Sequence, residues 1–271
     1  MTWKEVAIAA LASEPCRTLL RWAGAVPGPS WMLERISYPR IVFDSFEKAW
    51  AAARRTTYAG HDHPEYIQEH LELAKSLRAS DYPVLYWLLR LSRSDLRVFD
   101  FGGHVGNLYY AYSNYLESGT RVAEWIVFDL PRTVEEGKRI SAERKAPSLQ
   151  FTDSLNRFSR DHILLISGAF HYWEKSIEEF LRQFPCTPEH VLVNRTPITD
   201  NGPGFITVQY RKSYAVPCVV RNATELISDF AKAGYTLVDR WPVLELSLRM
   251  PLFPDRTVHQ YSGFYFRRGT S

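Results

Sequence analysis

The chain has 271 residues, 45% hydrophobic and 23% charged, with a formal net charge of +3. Such proportions allow a large buried core, and they exclude a disordered chain and the dense basic stripe of a dedicated nucleic-acid binder. Cys16, Cys186 and Cys218 are widely spaced and form no Cys-x-x-Cys pair, so reduced thiols in a cytoplasmic protein are expected, with neither a disulfide framework nor a zinc site.

Apolar positions Val6, Ile8, Leu11, Leu19, Leu20 and Trp22 recur as in amphipathic helices over residues 2–23, and Ala25–Pro29, with two prolines and Gly28, reads as a loop. The segment Trp3–Leu11 carries Lys4 and Glu5, and no stretch reaches the roughly 18 apolar residues of a spanning helix. Neither membrane insertion nor export is therefore expected. Asp44 followed by Glu47 predicts a capping box opening a helix that stops near Thr57. His61-Asp62-His63 resembles part of a metal site, but no third ligand is nearby, and a helix-capping or substrate-facing turn before Pro64 is the expectation, with no metal. Helices are predicted over 64–79 and 82–93. Residues 1–95 thus form a helical region.

At Leu96 the pattern changes to apolar runs alternating with helical periods, which predicts an α/β fold with a doubly wound sheet over 96–271. Strand one, 96–101, runs into Gly102, Gly103 and Gly106, which allow a tight turn and a close backbone approach to a ligand before a helix over 105–117. An acidic residue at such a loop, Asp100, disfavours a pyrophosphate and favours a cationic or hydroxyl-bearing ligand. Strand two, 124–128, ends at Asp129, 23 residues beyond Gly106, near the distance at which a ribose-binding carboxylate is expected. A polar helix follows from Pro131 to Lys145, then strand three at Leu149–Phe151, strand four at His162–Ser167, a helix over 174–184 and strand five at Val191–Val193. Right-handed crossovers bring the carboxyl ends of these strands to one edge, so Asp100, Asp129, Asp153 and His171 are expected to face it. An extended piece at Phe205–Gln209, a helix opened by Asn222 and Glu225, and an antiparallel pair at Tyr235–Trp241 and Tyr261–Arg267 complete the chain. The Pro-rich stretch 242–258 reads as a lid or binding loop.

Asp100-Phe101-Gly102-Gly103-His104-Val105-Gly106 resembles the acidic-x-Gly-x-Gly-x-Gly motif of class I S-adenosylmethionine-dependent methyltransferases, with His104 at the middle glycine. Phe128-Asp129-Leu130-Pro131, Thr152-Asp153-Ser154-Leu155 and Phe170-His171-Tyr172-Trp173 resemble three segments of small-molecule O-methyltransferases, the last with Tyr172 in place of an aspartate. The chain as a whole is similar to methyltransferases of bacterial surface-polysaccharide gene clusters, through Phe46–Trp50, Tyr58–Asp62, Phe99–Gly103 and Ser262–Phe266. The resemblance implies a Rossmann-like seven-stranded methyltransferase sheet and S-adenosylmethionine as cofactor. It implies cofactor contacts at Asp100, Phe101, Gly102, Gly103, His104, Gly106, Asp129, Leu130, Asp153, Ser154 and Ser167, with His171 as general base. It also implies a small-molecule or sugar acceptor, with residues 1–95 covering the acceptor side and available to pair two subunits of a homodimer.

Methyl transfer to a hydroxyl needs a positioned donor and acceptor and one base, and a histidine near its ordinary pKa of about 6.5 suits that task. His171 equally suits capping the following helix or packing beside Trp173. Asp129 suits ribose binding or capping at Pro131, and Asp153 suits either role. Three other classes stay open. One is a nicotinamide-dependent Rossmann oxidoreductase, against which His104 and Asp100 argue. Another is a non-catalytic cofactor-binding module, and the third is an RNA methyltransferase, for which no basic patch or aromatic platform is present.

Overall fold

The computed structural model describes residues 41–55, 76–92, 95–116, 120–210, 215–250 and 252–269, together with Thr18. The loop 25–29, the histidine turn at 58–63, all of the helices expected over 2–23 but Thr18, and residues 64–75 of the helix expected over 64–79 lie outside them; the described end of the latter, 76–79, is not helical. Ten strands and six α-helices are described. The helices are α1 (Phe46–Ala53), α2 (Asp81–Leu91), α3 (Asn107–Leu116), α4 (Pro131–Glu143), α5 (Ile177–Leu181) and α6 (Ala223–Lys232).

A seven-stranded sheet takes the order β3-β2-β1-β4-β5-β10-β9. Its strands are β1 (Asp95–Phe101), β2 (Arg121–Phe128), β3 (Leu149–Thr152), β4 (Ile163–Ser167), β5 (His190–Thr196), β9 (Tyr235–Val243) and β10 (Tyr261–Arg268). β1 to β5 pair in parallel, and β10 runs antiparallel to both of its neighbours. The order reverses between β1 and β4, which is where open α/β sheets form their ligand crevice.

Alternation along the strands divides the core. Val98, Trp125, Val127, Leu165 and Leu192 face one layer with Val84, Leu88, Leu108 and Tyr112 from α2 and α3. Phe99, Ile126, Leu164, Ile166, Val191 and Val193 face the other, with Phe180 of α5 and Leu226 and Phe230 of α6. Burial on both faces explains why these strands read as continuous apolar runs. In α3, Leu108, Tyr112 and Leu116 lie four residues apart and are all buried, which puts them on one helix face.

A second sheet, β6-β8-β7, is built from β6 (Ile198–Thr199), β7 (Phe205–Tyr210) and β8 (Ala215–Asn222). Sequence reading sees only β7 as an extended piece. β8 contains Pro217 and Cys218 between valines and precedes the Asn222 helix cap, so neither turn signals nor a polar alternation mark it. α1 packs on this sheet through Ala49 and Ala53 against Val208 and Ala215.

Three local expectations are corrected. The cap of α1 is Ser45, whose Oγ accepts from the Lys48 N–H at 3.2 Å, while Asp44 pairs with the Lys48 ammonium at 2.7 Å; the helix ends at Ala53, well before Thr57. The helix expected over 174–184 is confined to the five residues of α5, opened by a capping box of Ser176 and Glu179. The stretch expected as a lid or binding loop at 242–258 starts later, because Pro242 and Val243 still belong to β9; within it Leu248 and Val258 exchange backbone hydrogen bonds at 2.8 and 3.0 Å, and Leu248, Met250 and Val258 are buried in the main core.

Candidate functional site

The loop after β1 is shaped by contacts to two other strand ends. Gly102, with φ +71°, donates its N–H to the Phe128 carbonyl at 2.8 Å, and a Cβ on it would lie 2.5 Å from the Cβ of Ala169, just beyond β4. A Cβ on Gly103 would lie 2.4 Å from the carboxylate carbon of Asp100. Glycine is therefore required here because the loop folds back over its own acidic residue. His104 takes the middle position of the motif in the left-handed region, φ 55°, a conformation that histidine adopts at modest cost. Its side chain is buried. Gly106 has φ +81° and lies against Leu149 of β3, where a Cβ would come within 2.8 Å of the leucine side chain.

Asp129, the residue after β2, ties the end of that strand to the loop after β1. Its Oδ2 accepts the His104 N–H at 2.9 Å and its Oδ1 accepts the Leu130 N–H at 2.8 Å. The capping role at Pro131 is not seen: α4 begins with Leu130 as its cap and has no side-chain cap bond. Each carboxylate oxygen accepts one backbone bond, and the Thr133 side chain in the first turn of α4 also donates to the group. Loss of water around the group raises its pKa to about 6, against the lowering effect of the two backbone donors and the Thr133 side chain.

Asp100 is fully buried. Its Oδ2 accepts the Trp125 indole N–H at 3.1 Å, and its Oδ1 has no hydrogen-bond partner among the described residues. Burial pushes its pKa up to about 7, the indole bond works in the opposite sense, and the charge of Asp129 adds to the rise. A buried carboxylate oxygen without a donor, under a glycine loop, suits a ligand that brings a cation or a hydroxyl.

Not every residue named from the sequence reaches this centre. The Phe101 ring stacks on Phe128 with centroids 5.1 Å apart and meets Phe180 edge-on, so the ring belongs to the core on the α5 side. Leu130 is exposed. Asp153 is exposed at the end of β3, and Ser154 Oγ caps the short 3-10 turn Leu155–Arg157 through the Asn156 N–H. Ser167 Oγ, at the end of β4, accepts from Asn194 Nδ2 and Arg195 Nη1, both at 3.4 Å.

His171 lies in a 3-10 turn, Phe170–Tyr172, two residues past the Gly102–Ala169 approach. It is buried, with its ring centroid 4.1 Å from that of Tyr172 and 6.3 Å from that of Tyr261. Helix capping is not its role, because Ser176 caps α5. Tyr172 turns its hydroxyl to Gln209 Oε1 at 3.0 Å, and Gln209 Nε2 donates to the Tyr261 hydroxyl at 3.0 Å.

A buried polar cluster that sequence reading misses adjoins Ser167. Arg195, the penultimate residue of β5, has φ 53° and places Nη2 2.5 Å from Asp81 Oδ1 and Nε 3.0 Å from Ser80 Oγ. Asp81 also accepts the Tyr112 hydroxyl at 2.7 Å and the Arg78 N–H at 2.8 Å. Asp81 reads in the sequence only as a helix start. The available signal is Arg195 itself, a charge just after the apolar run Val191–Val193, which is tolerated in a buried strand only when paired.

A cleft of about 680 Å³, lined in part by Arg182, Cys186, Lys232 and Arg268, opens near the amino end of β5. None of the candidate cofactor or catalytic residues lines it. No cluster of three metal-ligating side chains occurs among the described residues, and none of the described helices is long and apolar enough to cross a membrane.

No protein-family model matches the chain, and no curated protein matches it in sequence. Solved structures do match. The 1,6-didemethyltoxoflavin-N1-methyltransferase of Burkholderia thailandensis, solved with 1,6-didemethyltoxoflavin and S-adenosylhomocysteine, aligns over 85% of this chain and 95% of its own, at 16% identity and a TM-score of 0.52. Magnesium protoporphyrin IX methyltransferase of Synechocystis PCC 6803, solved with S-adenosylhomocysteine, aligns over 93% and 99% at 12% identity and a TM-score of 0.44. A glycopeptide N-methyltransferase aligns over 76% and 99% at 10% identity and a TM-score of 0.47. The first of these alignments, with the strand order, defines the architecture as the Rossmann-like methyltransferase fold. Identities this low speak for fold and not for acceptor.

Proposed function

We propose that the protein is an S-adenosylmethionine-dependent methyltransferase acting on a hydroxyl of a small molecule or sugar. When bound, the cofactor supplies an electrophilic methyl group on a sulfonium. Asp129 holds the ribose hydroxyls, Asp100 and the Gly102–Gly106 loop receive the amino-acid end, and Asp153 with Ser154 stands on the adenine side. Ser167, at the end of β4, lines the cofactor from the other side of the loop. Residues 1–95 cover the acceptor side.

The observation that carries the reading is the meeting of three strand ends at one loop. Gly102 bonds to the end of β2 and abuts Ala169 beyond β4, and His104 bonds to Asp129. His171 follows Ala169 by two residues, which brings an imidazole to the same edge as the two carboxylates. In this role it takes the proton that the acceptor hydroxyl loses, and its buried position keeps bulk water from competing for that proton. Asp100 beneath the loop also disfavours the pyrophosphate of a nicotinamide cofactor.

The test is a screen of hydroxylated acceptors with isotope-labelled donor, followed by His171→Ala. The variant is expected to lose about 100-fold or more in kcat while its affinity for S-adenosylhomocysteine stays within about twofold. Undiminished turnover in the variant removes His171 from the base role. Cofactor binding by the wild type without transfer to any acceptor would point to a binding module of the same fold.

A further inference from the structure

Between the two sheets, next to His171, lies a layer of buried polar side chains that the cofactor reading leaves unused. Thr207 and Gln209 are two residues apart on β7 and so share a face, and Cys218 is the register partner of Thr207 on β8. Gln209 is fixed on both sides: its Oε1 accepts the Tyr172 hydroxyl, and its Nε2 donates to the Tyr261 hydroxyl at 3.0 Å and approaches Cys218 Sγ at 3.5 Å. Both tyrosine rings lie beside His171. Thr196 closes β5 and pairs with Ser262, the residue after Tyr261.

Thr196, Thr207 and Gln209 are all buried, and the hydroxyls of Thr196 and Thr207 have no hydrogen-bond partner among the described residues. Buried hydroxyls without partners are uncommon, because each has lost water and gained nothing. Thr207 shares β7 with Gln209, which bonds to Tyr261 at the start of β10, and Thr196 pairs with Ser262 of that same β10; the two hydroxyls are accounted for if a ligand hydroxyl completes them. None of the residues in this layer carries a charge: threonines, an amide, phenols and a thiol. Arg195, whose strand also carries Thr196, is committed to Asp81, and Arg221 reaches the carbonyl of Phe170 at 3.5 Å and also that of Trp173. A charged group entering the layer would lose its hydration with no counter-ion to receive it.

We infer that this layer is the acceptor subsite and that Gln209 is its specificity-determining residue, selecting an uncharged, hydroxyl-rich acceptor. The inference rests on the methyltransferase reading. Gln209 sets the direction of the Tyr172 and Tyr261 hydroxyls beside the imidazole, and Thr196 and Thr207 each take one acceptor hydroxyl.

The test uses the full chain with labelled S-adenosylmethionine and a matched panel: neutral methyl glycosides, the corresponding uronates and the corresponding sugar phosphates. Transfer is expected to neutral members, with uronates and phosphates at least tenfold poorer in kcat/KM. Gln209→Leu is expected to raise KM tenfold or more with S-adenosylhomocysteine affinity, measured by calorimetry, within twofold of wild type. Thr207→Val, which keeps the shape and removes one hydroxyl, is expected to raise KM severalfold, and it carries the test if Gln209→Leu fails to fold. Equal transfer to charged members, or unchanged KM in both variants, overturns the inference. So does a wild type that binds S-adenosylhomocysteine yet methylates no neutral member. Failure to bind S-adenosylhomocysteine instead removes the methyltransferase reading beneath it.

Discussion

The backbone N–H of His104 donates to the carboxylate of Asp129 at 2.9 Å, so the tip of β2 holds the loop that follows β1. The bond uses the main chain of His104. That explains how a histidine occupies a position where the related motif has glycine: the required features are a left-handed φ and an N–H, and both are present.

His104→Gly is accordingly expected to preserve the loop. It relieves a left-handed strain of about 1 kcal/mol and adds unfolded-chain entropy of similar size, but it also empties the space of a buried side chain, so the unfolding midpoint in urea should fall. Affinity for S-adenosylhomocysteine should stay within about threefold, which corresponds to less than 1 kcal/mol. A loss beyond tenfold in calorimetry would show that the imidazole itself contributes.

The pH response follows from Asp100 and Asp129, whose carboxyls are raised to about 7 and about 6 by burial. A carboxyl raised in the folded state holds its proton more tightly than in the unfolded chain, where its pKa is about 3.9. Its stabilising contribution is full below about pH 4 and is lost as pH rises through 6 to 7. Asp100→Asn, which cannot ionise, should therefore gain stability relative to wild type between pH 5 and pH 8 in ligand-free urea titrations. A difference that does not change with pH would contradict the assignment.

Gly103→Ala places a methyl 2.4 Å from the Asp100 carboxylate carbon. The two cannot coexist without a shift of the loop, and overpacking of this kind costs about 1–3 kcal/mol. Thermal unfolding should report that loss, and S-adenosylhomocysteine affinity should fall at least tenfold. Wild-type binding in the variant would mean that the loop moves freely, against the geometry described.

Asp81→Asn breaks the ion pair with Arg195 and weakens the bond from the Tyr112 hydroxyl. Removing one partner of a buried pair costs about 3–5 kcal/mol, because the remaining charge is left in a dry site. Chemical denaturation checks this directly. A loss below about 1 kcal/mol would indicate that water reaches the guanidinium and that the pair behaves like a surface one.

Much of the architecture was legible because strand and helix periods differ and the strands are apolar on both faces. β1, β2, β4 and the glycine loop stand out in that way, and so do the strand-end positions of Asp100, Asp129 and His171. The second sheet was only half visible, since β8 carries a proline and is recognisable only by its pairing with β7. Phe101 illustrates another limit. Sequence position puts it in the loop motif, but the alternation of β1 turns its ring towards Phe128 and Phe180, away from Asp100. The Asp81–Arg195 cluster and the Tyr172–Gln209–Tyr261 chain join residues far apart in sequence, separated by 114 positions in the first case. No local period or motif encodes such pairs.

Calorimetric titration of the full chain with S-adenosylhomocysteine and, separately, with NADH tests the central claim most directly when run on wild type and Asp129→Ala. The expected result is saturable binding of S-adenosylhomocysteine by the wild type, at least tenfold weaker binding by the variant, and no heat with NADH. Binding of NADH in preference to S-adenosylhomocysteine, or equal S-adenosylhomocysteine affinity in the two proteins, would contradict the account.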